Sequence, residues 1–147
     1  MEMIRVKNDE LMKIEKEFST FPFHKFIMNS FSKEEIEAIM EDCNALKETF
    51  VIIYNTLSDE ERVKRNLTFI DMKGIYHNIM YEKYGDLAII NARTIKDSAE
   101  GLQKEIVSSV IRNMEYFTKL AKQKGPICRS YINDTMESLK PQVNSNR

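Results

Sequence analysis

Tryptophan is absent from this 147-residue chain, and histidine (two), cysteine (two), proline (three) and glycine (four) are all scarce. Each shortage excludes a chemistry. Cys43 and Cys128 are too few and too far apart for a disulfide framework or a zinc site. The glycines at 74, 85, 101 and 125 are scattered, so there is no G-x-G-x-x-G, no P-loop and no G-x-S-x-G. His24 and His77 belong to no H-E-x-x-H or E-x-x-H pair, and no nucleophile is paired with a base. The expectation is a protein without metal, cofactor or catalytic residues, and not an enzyme. The longest apolar run is "FVIIY" at 50–54, far short of a membrane span, and "MEMIRVKNDELMK" holds no apolar core of signal-peptide length. A soluble, cytoplasmic chain with no membrane partner follows as the expectation.

What is present favours helices. Hydrophobic residues make up 42% and charged residues 31%, a balance that suits long, charge-faced helices around one core. The reading is an all-α, single-domain bundle of five or six helices over residues 1–140, with 141–147 as a flexible tail. A helix from Asn8 ends near Ser19–Pro22, and a short piece follows between Phe23 and Phe31. "SKEE" from Ser32 is a capping box, and Ile36, Ile39, Cys43, Phe50, Ile53 and Leu57 continue its apolar stripe. "SDEE" at 58–61 and "TFID" at 68–71 open two more helices, the second closing at Gly85 as its C′ residue. A stripe from Thr94 takes in Ile95, Ala99, Leu102, Ile106, Val110, Met114, Phe117, Leu120 and Ala121. It stops at "KGP", 124–126, before a last helix that ends ahead of Pro141. Gly101 lies inside this stripe and marks a bend.

The net charge of −1 conceals a gradient: residues 1–57 sum to −4, and residues 101–147 to +4. Lys119, Lys122, Lys124 and Arg129 could therefore form a nucleic-acid-binding patch. The competing reading places three of them in the last turns of a helix, where cations complement the macrodipole.

Five of the eight phenylalanines fall within "EFSTFPFHKFIMNSF". Burying one is worth roughly 1.5–3 kcal/mol, so leaving all five in water would forgo about 7–15 kcal/mol, comparable to the stability of a whole domain. Either they close one end of the chain's own bundle or a partner completes the core. His77, Tyr81 and Tyr84, at i, i+4 and i+7, form a second amphipathic face. Phe21, Phe23, Phe26, His77, Tyr81 and Tyr84 are thus candidate partner-binding residues, and the nine methionines add adaptable apolar surface. The functional expectation is a protein-binding regulator, adaptor or inhibitor that forms a homo-oligomer. Abundant isoleucine, lysine, asparagine and glutamate point to an AT-rich genome, such as that of a low-GC bacterium, its phage or a large virus.

Phe21-Pro22-Phe23 followed by Ser32, Lys33, Glu34 and Glu35, then Glu37, Ala38, Met40, Cys43, Leu46 and Glu48, with Thr68-Phe69 later, resembles the YhaI-like family of small helical Bacillus proteins. That resemblance covers about a quarter of the chain. It implies an all-α, self-associating cytoplasmic protein of a Bacillus or of an element living in one. It implies no activity.

Overall fold

A computed structural model describes the backbone of residues 2–145 and the side chains of residues 9–140. It contains six helices and, among the described residues, no strand: α1 (Glu2–Glu17), α2 (Lys25–Met28), α3 (Lys33–Thr56), α4 (Asp59–Lys64), α5 (Phe69–Ser98) and α6 (Gly101–Ser145). The caps read from sequence form as expected at α3 and α5. Ser32 accepts the Glu35 amide and Glu35 returns to the Ser32 amide at 2.8 Å, and Thr68 and Asp71 repeat the exchange. At α4 the half made by the hydroxyl is present, Ser58 accepting from the Glu61 amide. α4 then ends in a Schellman turn, with the Leu67 amide on the Arg62 carbonyl at 2.8 Å and the Asn66 amide on Val63. Asn66 takes φ +54° there, a conformation its short polar side chain tolerates.

The aromatic core lies where α1, α3 and α5 meet. The Phe18 ring stacks on Tyr76 at 4.9 Å and on Phe69 at 5.8 Å, and meets the edge of Phe50 at 5.2 Å. Such pairs contribute about 0.5–1.5 kcal/mol each beyond the area they bury. Arg62 is buried below it. Its guanidinium lies 3.9 Å over the Tyr54 ring, donates to the carbonyls of Tyr54 and Leu57 at 2.8 Å each, and pairs with Asp59. It thereby satisfies carbonyls that the end of α3 leaves without helical partners.

α5 and α6 form an antiparallel hairpin, and here the structure corrects several expectations. The chain breaks at Ala99–Glu100, where the stripe from Thr94 suggested a continuous helix, and Gly101 takes φ +60° at the turn. Gly85 ends nothing. It is buried mid-helix, and a Cβ there would lie 2.8 Å from Thr118 Cγ2 and 3.0 Å from Thr118 Cβ, so its small size serves close approach of the two helices. "KGP" does not stop α6 either. Gly125 lies against the Glu82 side chain, and Pro126 is carried within the helix. An internal proline costs about 3 kcal/mol. Offsetting it is a buried seam on both sides of Pro126, Val107, Ile111, Met114, Thr118 and Ala121 before it and Ile132, Thr135 and Leu139 after it, at alternating spacings of four and three within each part. The backbone is likewise helical through Pro141 to Ser145, where a flexible tail was expected.

Candidate functional site

The phenylalanine-rich segment is largely absorbed by the chain itself. Phe18, Phe23 and Phe31 are buried, while Phe21 and Phe26 are half-buried against the same core. Phe23 stacks on Phe31 at 6.4 Å and meets the edge of Tyr81 at 5.0 Å. Phe23 is therefore corrected from partner-binding residue to core residue: its ring, 6% exposed, has no face left for a partner. The expected triplet also divides. The Tyr84 hydroxyl reaches across to α3, touching Asp42 and the Ala38 carbonyl, while Lys83 pairs with the same Asp42 at 2.6 Å. Its hydroxyl is thus engaged in tying α5 to α3, and with burial and the Asp42 carboxylate beside it, its pKa rises to about 12.

His77 and Tyr81 stay together and border an open groove of about 400 Å³ between α5 and α6. Gly74, His77, Asn78 and Tyr81 form one wall, and Phe117, Leu120 and Ala121 the other. The Tyr81 ring spans it, 6.0 Å from Phe117 and 6.4 Å from His77, with Phe23 behind. Burial pushes the Tyr81 hydroxyl upward, so it stays protonated. His77 is solvent-exposed by area, yet desolvation by the groove walls, helped by the Lys73 charge and opposed by Glu17, lowers its pKa from the usual 6.5. At neutral pH the groove is lined by neutral side chains. Below it, Phe21 and Pro22 edge a smaller pocket of about 260 Å³ shared with His77 and with Lys73, which pairs with Glu17 at 3.1 Å.

Phe117 and Leu120 belong to this site but read in sequence as core. On α6 the stripe from Ile95 to Ala121 follows chiefly the outer face, where Leu102, Ile106 and Phe117 are 72%, 52% and 49% exposed; of the buried face one residue away it takes in Met114 and Ala121 but omits Val107, Ile111 and Thr118. Two interleaved apolar stripes on one helix were the available signal.

The basic residues lie along the middle of α6 rather than at a helix end, so the macrodipole rationale falls away. Lys122 pairs with Asp86 at 2.6 Å and Arg129 with Glu82. Among the described residues Lys119 and Lys124 make no ion pair. Cys43 is fully buried, its Sγ 3.0 Å from the Tyr76 hydroxyl, and burial raises its pKa away from thiolate. Among the described residues no group of three or more His, Cys, Asp or Glu could hold a metal, and no helix is long and apolar enough to cross a membrane.

No family model, no curated protein and no solved structure matches this chain.

Proposed function

We propose that this chain is a protein-binding module, a small cytoplasmic regulator, adaptor or inhibitor encoded by a phage or mobile element, and not an enzyme. The observation that carries this reading is the Tyr81–Phe117 groove. It is lined by neutral aromatic and small residues and mounted on two long packed helices. Aromatic side chains give large contact area at low entropy cost, and rigid mounting lowers the ordering cost of binding. Half-exposed rings beside the open space left in the wall at Gly74 suit an apolar side chain or helix ridge of another protein. The YhaI-like resemblance of residues 21–48 adds self-association to the proposal.

The test is capture from source-cell lysate by the wild type, Phe117→Glu and Lys119→Glu, with circular dichroism to verify folding. Phe117 is half-exposed, so the substitution leaves the core intact. A protein held by the wild type and Lys119→Glu but lost by Phe117→Glu supports the groove. Equal capture by all three overturns it. Nucleic-acid binding through Lys119, Lys122, Lys124 and Arg129 has weaker support, because two of the four already neutralise acids on α5. Loss of DNA or RNA binding in Lys119→Glu at low salt would reinstate it.

A further inference from the structure

His77 belongs to two sites at once. Its ring is part of the α5 wall of the groove, and it also lines the smaller pocket together with Glu17, Phe21, Pro22 and Lys73. It meets Tyr76 edge-on at 5.7 Å and Tyr81 at 6.4 Å. Among the described residues that line the groove, His77 is the one whose charge changes near neutral pH: Tyr81 is held protonated, and Gly74, Asn78, Phe117, Leu120 and Ala121 carry no ionisable group. The charges that face it come from two elements. α5 supplies Lys73, one turn before it, and the end of α1 supplies Glu17, whereas the α6 wall and the connection from Thr20 to Pro22 bring none. Glu17 has an acceptor to spare. Its Oε2 is buried and lies 3.1 Å from Lys73 Nζ, but off the line of a hydrogen bond, so among the described residues that oxygen accepts none. An imidazolium at His77 carries N–H donors on both ring nitrogens that such an oxygen can accept.

We infer that His77 is a proton switch on the groove: the neutral imidazole completes a wall that an apolar partner surface can cover, and the imidazolium leaves that wall charged and releases the partner. The cause is desolvation. A partner that covers the ring takes it out of water, which costs little for a neutral imidazole and much for a charged one with no counter-ion inside the contact. The acid that faces His77, Glu17, lines the smaller pocket and not the groove, so pairing with it draws the ring out of the groove wall. Linkage fixes the sign: affinity is complete above the pH at which the free protein protonates His77, and is lost as pH falls through it. Burial of the ring, and then the Lys73 charge, place that point below the usual 6.5, with Glu17 opposing, so the groove is in its binding form at neutrality. This inference rests on reading the groove as a protein-contact surface and adds the regulation of that surface.

The experiment is binding of the neutral, apolar dye Nile red to the full chain, followed by fluorescence from pH about 7.5 to about 5. Wild type, Phe117→Glu, His77→Gln, Lys73→Gln and Glu17→Gln are compared, with circular dichroism at each pH to verify folding. The expected result is a wild-type dissociation constant that rises about tenfold across this range, beginning where proton NMR shows His77 titrating, and a flat profile in His77→Gln. The neighbouring charges should displace the loss of affinity in opposite directions, to higher pH in Lys73→Gln and to lower pH in Glu17→Gln. A merely structural role of His77 produces no such pair of displacements. A flat wild type, or a His77→Gln profile parallel to it, overturns the switch. If His77→Gln does not fold, the Lys73 and Glu17 variants decide, and a loss of affinity that neither displaces overturns it. Dye binding that is abolished by Phe117→Glu but indifferent to pH removes the switch and leaves the groove reading standing; a dye that does not bind, or that binds Phe117→Glu as tightly as the wild type, removes both.

Discussion

Around Phe18, α5 is covered by α1 and α3, and large rings fill the space between them. Past Gly85 the residues that α5 buries are Ala88, Ile89 and Ala92, met by Val107 and Ile111 of α6, while Ile90, Leu102 and Ile106 stand open to solvent. The aromatic end gains stability from bulk, and the hairpin from closeness. Small residues let two backbones approach so that few atoms are wasted, but two helices alone have only one face to bury against each other. The remaining apolar residues of the hairpin, among them Leu102, Ile106 and Phe117 on α6, are left open to solvent.

Removing bulk at the aromatic end should have the largest effect. Phe18→Ala takes away a fully buried ring with three aromatic neighbours and should cost about 3–5 kcal/mol in urea unfolding; a loss under about 1 kcal/mol would mean that the end is not tightly packed. Adding bulk where closeness matters comes next. Gly85→Ala drives a Cβ into Thr118, and overpacking of this kind costs about 1–3 kcal/mol, more than the gain in helix propensity. The Gly85→Ala/Thr118→Ala double variant should recover most of the loss, because it removes the atoms in the way; no recovery would place the strain elsewhere. Gly74 is the control for this contrast. Its Cβ would meet nothing within 4 Å, so Gly74→Ala should stabilise by about 0.5–1 kcal/mol through helix propensity alone, and a destabilised variant would show that this wall of the groove does not tolerate a methyl.

The smallest effect is that of His77. Its pKa is lowered in the fold, so the unfolded chain takes up the proton first as pH drops below the usual 6.5. Its contribution to stability is therefore complete above pH 6.5 and is lost as pH falls toward the lowered folded value. Comparing the melting temperature of wild type and His77→Gln between pH about 7.5 and about 5.5 isolates it: the variant should show the shallower decline, and parallel declines would show that the ring is not desolvated.

The aromatic end was the more legible of the two in sequence. Ser32 and Thr68 announce their helices through local hydrogen bonds, and the stripe from Ile39 to Leu57 needs no knowledge of what covers it. The hairpin was less so, because its signals depend on the neighbour. Gly85 and Gly125 carry the composition of helix ends, and only the presence of Thr118 and Glu82 opposite them shows that they are points of close approach. Pro126 likewise resembles a stop until the packing on either side of it is weighed against one missing hydrogen bond. At the site, His77 and Tyr81 were found by spacing, whereas Phe117 was hidden because a helix with two apolar faces gives a single blurred periodicity. Phe23 was misplaced for the opposite reason: its clustering signalled burial, and sequence could not say whose atoms did the burying.

Pro126 lacks the N–H that would bond the carbonyl of Lys122, so α6 has one rung missing near its middle. Lys122 grips Asp86 on one side of that gap and Arg129 grips Glu82 on the other. Mechanically, α5 is a splint strapped across the weakest point of a beam about 67 Å long. The straps are partly exposed ion pairs and add little by themselves, so it is the apolar seam beneath them that keeps the beam in one piece.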